Sequence, residues 1–312
     1  MRQTAIFGTF LVFAAVANAA DPQLLNLVMP DAKVIGGVNV QQAKSSPFGN
    51  FVITQMTNQQ QGLQDIVTAT GFNPLEDVSE ILGATSGDKI NPGGIVLARG
   101  NFNTATIVAA LLKDGKHASS TYAGATLVTS IDANQKDALA FINGTIAIAG
   151  DVTSVKAALD RRSANNSLDP LLAAKINTLS NTEDAWTISI ASLSGLFPGQ
   201  DKGASQQLAL FKNIVESSGG VKFGANIQVN AQAVTTDPKD ATALSDVIKF
   251  VSQLVAMQAG KAPEAANAVA LLKTLTVTTD GTLVNIALTI PEADIEGLIN
   301  TAHGTAARKV KI

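Results

Sequence analysis

The chain has no cysteine, one tryptophan, one tyrosine and two histidines in 312 residues. Without cysteine no disulfide can form, so an exported form of this chain must be held by its core alone. Aromatic residues are 4% of the total, which argues against a stacking platform for sugars or bases, since such sites rely on exposed aromatic faces. Charged residues are 15% against a typical ~25%, so Ser, Thr, Asn and Gln must carry much of the polar surface. His117 and His303 stand alone, whereas a metal site wants several His or carboxylates in register. Each reads as a solvated or helix-end residue. No cofactor and no metal site is expected.

The first twenty residues read as an export signal: Arg2 gives a positive start, Ala5 to Ala17 is largely apolar, and Ala17-Asn18-Ala19 is a small-x-small cleavage pattern. A membrane span needs ~20 apolar residues, and Asn18 and Asp21 end this run too early. Cleavage after Ala19 or Ala20 is the expectation, with no transmembrane segment afterwards and a periplasmic or secreted destination. Loss of Arg2 with the signal leaves 21 basic against 25 acidic residues, a net charge of −4. That balance argues against nucleic acid, which is bound by clustered cations.

Local order centres on Ala138 to Arg162. Asn143-Gly144 is a strong hairpin signal, because a type I′ turn needs positive φ at both central positions. Ala138, Ala140 and Ile142 alternate before it, and Ile146 and Ile148 after it. Gly150-Asp151 then stops the strand, and Val155, Ala158 and Leu159 open a helical stripe. A similar succession falls in Leu275 to Ala302, with Asp280-Gly281 as the turn and Pro291-Glu292 opening a helix. Elsewhere the spacing predicts a strand over 33–40 and an analogous one over 186–191. Helices are predicted over 51–70, from Asn73-Pro74-Leu75-Glu76 through Val78, Ile81 and Leu82, over 205–217 and onward from Pro263. Val221 to Val229 reads as one alternating strand, and Leu244 to Val255 as the cleanest amphipathic helix.

The expected fold class is α+β, in two similar halves, each an antiparallel sheet with helices packed on one face. A single sheet shared by both halves is the alternative. The boundaries are a signal at 1–20, a first half at 21–162, a connecting segment at 163–184, a second half at 185–304 and a loose tail at 305–312.

Chemical motifs are few. Ser86-Gly87-Asp88-Lys89 matches the S-x-x-K form, but Gly and Asp intervene in a predicted loop, so the Ser and Lys do not share a helix face. Gly83 to Lys89 has the wrong spacing for a phosphate loop. Glu76, Asp77 and Glu80 read as first-turn helix residues. Asp160-Arg161-Arg162 and Arg308-Lys309-Val310-Lys311 are small charged clusters at chain or helix ends. Asn143-Gly144-Thr145 and Asn165-Asn166-Ser167 match the glycosylation pattern, the first being better explained by its turn. No catalytic, cofactor-binding or metal residue is nominated.

Pro30-Asp31-Ala32 entering a strand, the segment Gly71-Phe72-Asn73-Pro74-Leu75-Glu76-Asp77-Val78, and a late Gly281 strand leading to Pro291-Glu292 together resemble uncharacterised secreted bacterial protein families. The resemblance implies an exported bacterial α+β protein of unknown function, with no catalytic residues to carry over. Three functions remain open at this point. The first is a non-catalytic envelope protein that binds or scaffolds an envelope or extracellular protein. The second is a carrier of a small apolar ligand, and the third a serine-type hydrolase whose groups meet only in the fold.

Overall fold

A computed structural model describes residues 19–51, 67–86, 93–132, 134–164, 168–190, 211–258, 272–292 and 294. The elements in chain order are α1 (Pro22–Leu25), β1 (Val34–Asn39), α2 (Val40–Ala43), α3 (Pro74–Asp77), β2 (Val78–Thr85) and β3 (Gly94–Gly100). Next come α4 (Thr104–Leu112), β4 (His117–Tyr122), β5 (Ala125–Ser130), β6 (Asp137–Ile142), β7 (Ile146–Asp151), α5 (Val152–Arg161) and α6 (Pro170–Thr182). β8 (Ala185–Ser189), β9 (Ile214–Lys222), β10 (Asn226–Thr235), α7 (Pro238–Gln258), β11 (Thr276–Asp280) and β12 (Leu283–Pro291) complete the described chain.

The hairpin read from Asn143-Gly144 forms as its residues require. Asn143 has φ +50 and Gly144 φ +69, and Thr145 N donates to Ile142 O at 3.0 Å. Asp151 then caps α5, its carboxylate accepting from Ser154 N at 3.0 Å. A β-carbon on Gly144 would lie 3.1 Å from Phe102 O, in a backbone conformation that L residues seldom adopt. Gly144→Ala is therefore expected to cost about 1–2 kcal/mol, read as a lower urea midpoint with unchanged slope.

The two sheets expected from the sequence are one. Among the described residues, twelve strands lie in the order β11-β12-β10-β9-β8-β1-β2-β3-β7-β6-β5-β4, with every adjacent pair antiparallel. The join is β1 against β8, where Ile35 faces Ile188 and Gly37 faces Trp186. Outward from that pair the order is β2, β3, β7, β6 on one side and β9, β10, β12, β11 on the other, with β5 and β4 added beyond β6. Among the described residues the sheet edges are β4 (HASSTY) and β11 (TVTTD), both rich in Ser and Thr.

Helices cover both faces, not one. On the first face Ile35, Leu82, Leu97, Ala140 and Ile148 pack with Leu24 of α1, Val155 and Leu159 of α5, and Leu172 and Ile176 of α6. The second face carries Phe102, Ile107 of α4 and Val40 of α2 against Phe141 and Val78. Farther along the sheet, Ala241 and Leu244 of α7 pack on Ile214, Ala233, Val277 and Val284. Cross-strand register puts Ala233 and Val284 on the face opposite Trp186. Both periodicities are thus used: α-helical stripes dock on alternate residues of strands that are apolar on two sides.

Four local expectations give way to strand pairing. Val78 to Leu82 is strand, not helix: only one turn, α3, follows the Asn73 cap. β2 is held between β1 and β3 along its length, and those ladders outweigh a weak helical preference. The extra residue Ser79 breaks the register between Val78 and Glu80, a bulge that turns Val78 to the second face while Glu80 and Leu82 stay on the first. Val221 to Val229 is the end of β9, a turn at 223–225 and the start of β10. Residues 214–217 of the predicted 205–217 helix belong to β9, while 205–210 lie outside the described residues. In the second hairpin Asp280 pairs with Leu283 and only Gly281 has positive φ, +57. Its turn residues are Gly281-Thr282, one place later than predicted. Most of the 51–70 helix, the helix from Pro263 and nearly all of the one after Pro291 also lie outside the described residues, as does the signal.

Candidate functional site: a cleft under the first helix

Asp21-Pro22 opens α1 as capping chemistry dictates, with the Asp21 carboxylate accepting from Gln23 N at 2.7 Å and Leu24 N at 3.3 Å. Its second oxygen takes Arg99 Nε and Nη2, each at 2.7 Å. Arg99 stands on β3 and reaches two further groups: Gln23 Oε1 at 2.7 Å and Thr145 Oγ1 at 3.4 Å. One guanidinium therefore ties α1, the sheet and the tip of the β6–β7 hairpin together, using the fixed fork of its donors. From the other side Arg161, at the end of α5, donates to Leu27 O through Nη2 at 2.8 Å and Nε at 3.2 Å. Asn26 Nδ2 returns a bond to Arg161 O at 3.3 Å. Burial lowers the Arg161 pKa, against the opposing pull of Asp31 and Asp160.

Between α1, the hairpin tip and α6 these tethers leave a half-open cleft of about 690 Å³. Its apolar lining is Leu25, Leu27, Ile142, Ile146, Leu168 and Ala173. Its polar lining is Gln23, Asn26, Asn143, Thr145 and Arg162, groups that donate, accept or carry charge without a general base among them. Size and lining match those of a small-molecule pocket. Beneath α1, Glu80 lies opposite Arg99 across the β2–β3 ladder. Burial pushes its carboxyl up to about 7, even with the Asp21 backbone N–H bonded to it and Arg99 nearby; the Asp21 carboxylate adds to the rise.

The residues singled out from sequence are scattered. Ser86 ends just past β2 and His117 begins β4, with β3, β7, β6 and β5 between them in the sheet. His117 Nδ1 lies 3.2 Å from Asp114 Oδ1 at the surface. Lys89, Asn165, Asn166, His303 and residues 308–311 are outside the described residues. Glu76 and Asp77 do sit in the first turn of α3. Glu80 is a correction: it belongs to β2 and faces the α1 cap. Among the described residues no three His, Asp or Glu side chains gather as a metal set. No described helix is long and apolar enough to cross a membrane. Phe250, Val251, Leu254 and Met257 are exposed on α7.

The cluster of Asp21, Glu80 and Arg99 escaped sequence reasoning. A local signal for it was present, since Asp21-Pro22 is the same Asx-Pro helix start as Asn73-Pro74 and Asp169-Pro170. The partner of that cap, 78 residues away, had none.

Fold and cleft together define a class: an α+β protein built on one long antiparallel sheet, with an apolar-lined cleft under its first helix. No family model matches the chain, and no curated protein does. Among solved structures it is similar to TP0453. Crystal form I gives a TM-score of 0.53 at 11% identity, covering 91% of this chain and 98% of that one. Crystal form IV gives 0.55 at 13% identity, covering 90% and 97%. At such identities the likeness is one of fold.

Proposed function

We propose that this chain is an exported, non-catalytic binding protein of the bacterial envelope that holds a small amphiphilic ligand in the cleft under α1. The observation that carries the reading is the cleft itself: Arg99 and Arg161 fasten the α1 segment to β3, the hairpin tip and α5, and the cleft beside these tethers is lined by apolar residues of α1, the hairpin and α6. Leu25, Ile146 and Leu168 suit an alkyl or ring body, and Arg162 on the lining suits an anionic head. The leader-like residues 1–20 support export, and the cysteine-free composition is compatible with it. In the same reading 21–162 and 185–304 are copies of one module. The matching order of strands on either side of β1 and β8 supports that descent.

Titration with the apolar anionic dye anilinonaphthalene sulfonate tests this. Saturable one-site binding is expected. Ala173→Trp, which fills the cleft from α6, should weaken it about tenfold or more, a loss of ~1.4 kcal/mol, with unchanged circular dichroism. Arg162→Glu should weaken the anionic dye and spare a neutral one. Equal binding by wild type and Ala173→Trp would overturn the reading.

A further inference from the structure

The backbone nitrogen of Asp21 donates to both oxygens of Glu80, at 3.2 and 3.1 Å. That nitrogen lies where the export signal is expected to end. Ala20, beside it, is buried at 6% exposure, although nothing in a leader calls for its last residue to be buried. The charged groups facing Glu80 are Asp21 on α1 and Arg99 on β3, and the Arg99 guanidinium is bonded to the Asp21 carboxylate, Gln23 and Thr145. Among the described residues, a neutral amide is thus the one hydrogen-bond donor reaching a half-buried carboxylate. Two carboxyls, Asp21 and Glu80, share one guanidinium, and that guanidinium is bonded to Asp21, so the cluster is one cation short of balance.

We propose that Glu80 is the receptor for the α-ammonium group created when the signal is removed. The inference rests on the export reading above. Hydrolysis adds one water across a peptide bond: the departing leader keeps the new carboxylate, and the retained chain keeps the nitrogen, protonated. A cut after Ala20 makes the ammonium on the nitrogen that Glu80 already contacts. A cut after Ala19 makes it on Ala20, one residue along, with the Asp21 N–H still bonded to Glu80. Either way the processed terminus supplies the missing charge, completes the Asp21–Arg99–Glu80 cluster and fastens the start of α1 over the cleft. Maturation and the rigidity of the binding site become one event.

The pH dependence differs before and after processing. In the uncut chain the raised Glu80 pKa favours folding most below the ordinary carboxylate range, and that contribution is lost as pH rises through about 7. With the ammonium in place the Glu80 pKa falls. The stability lost in the uncut chain between the ordinary carboxylate range and about pH 7 is thereby recovered, and it is lost again only as the amine deprotonates at alkaline pH.

The test uses mature protein secreted by its host, its amino terminus established by intact mass. The same chain with Gly-Ser placed ahead of that terminus is compared, in the wild-type and Glu80→Gln backgrounds. The extension is expected to lower the urea midpoint at pH 7 in wild type and leave Glu80→Gln unmoved. Carbon-detected titration should place the Glu80 carboxyl at least about one unit lower in the mature chain than in the extended one, a tenfold change in proton affinity. Equal effects in both backgrounds, or an unmoved Glu80 titration, would overturn the proposal while leaving export intact. A mature terminus outside residues 20 and 21 would overturn the docking and the predicted signal site together. Should Glu80→Gln fail to fold, the titration in the wild-type background decides alone.

Discussion

Replacing Trp186 with alanine is expected to destabilise the protein by about 3–5 kcal/mol, and the effect should spread to both flanks of the sheet. Trp186 is 7% exposed at the pairing of β8 with β1. Its ring lies across Gly37, where a β-carbon would come within 2.7–2.9 Å of three ring atoms. The glycine is there because the indole occupies the space its side chain would need. Removing the indole leaves a cavity at the β1–β8 pair, which among the described strands joins the two flanks, and the glycine opposite cannot fill it. Equilibrium unfolding followed by circular dichroism and by a probe on β10 should show coincident transitions, both shifted equally. A variant in which only one transition moves would mean that the flanks fold as independent units. Gly37→Val should reproduce part of the loss, about 1–3 kcal/mol, by forcing the ring off its seat.

Arg99→Ala is the second large expectation, and it separates stability from function. The Arg99 and Asp21 side chains are 23% and 20% exposed, so the pair is partly screened. Truncation leaves the Asp21 carboxylate and Gln23 without their guanidinium, a loss of about 1.5–3 kcal/mol. The larger change is in the cleft, because Gln23 and Thr145 on its lining are both bonded to Arg99. Dye affinity should fall about tenfold or more, and amide exchange over 22–28 should accelerate while the β6–β7 ladder stays protected. Arg99→Lys keeps the charge but not the fork of donors, so it should recover stability better than binding.

What could be read from the chain in advance follows the range of the interactions involved. The Asn143-Gly144 turn, the helix opened after Asp151, and the α7 helix formed where expected. Each is specified within a few residues by backbone conformation or by a side chain bonding to its neighbours. Val78 to Leu82 departs from its local signal because Asn73-Pro74 does start a helix, one that the ladders from β1 and β3 halt after a single turn. The joining of two halves into one sheet had no local signature. Val34 and Ser189 sit opposite one another across 155 residues of sequence, and alternation shows which face of a strand is buried without showing its neighbour. The cleft was hidden for the same reason. Leu25, Ile146 and Ala173 are unremarkable apolar residues until α1, the hairpin and α6 converge. Glu80 is a helix-turn acid only in a helical segment; in β2 it faces the α1 cap.

The central claim, that the space under α1 holds a ligand, is tested most directly by native mass spectrometry of the protein purified from its own host without detergent. The expected result is a population heavier than the polypeptide by one small molecule, with that extra mass absent from Ala173→Trp. Wild-type protein arriving at the bare polypeptide mass, indistinguishable from the filled variant apart from the substitution, would contradict it.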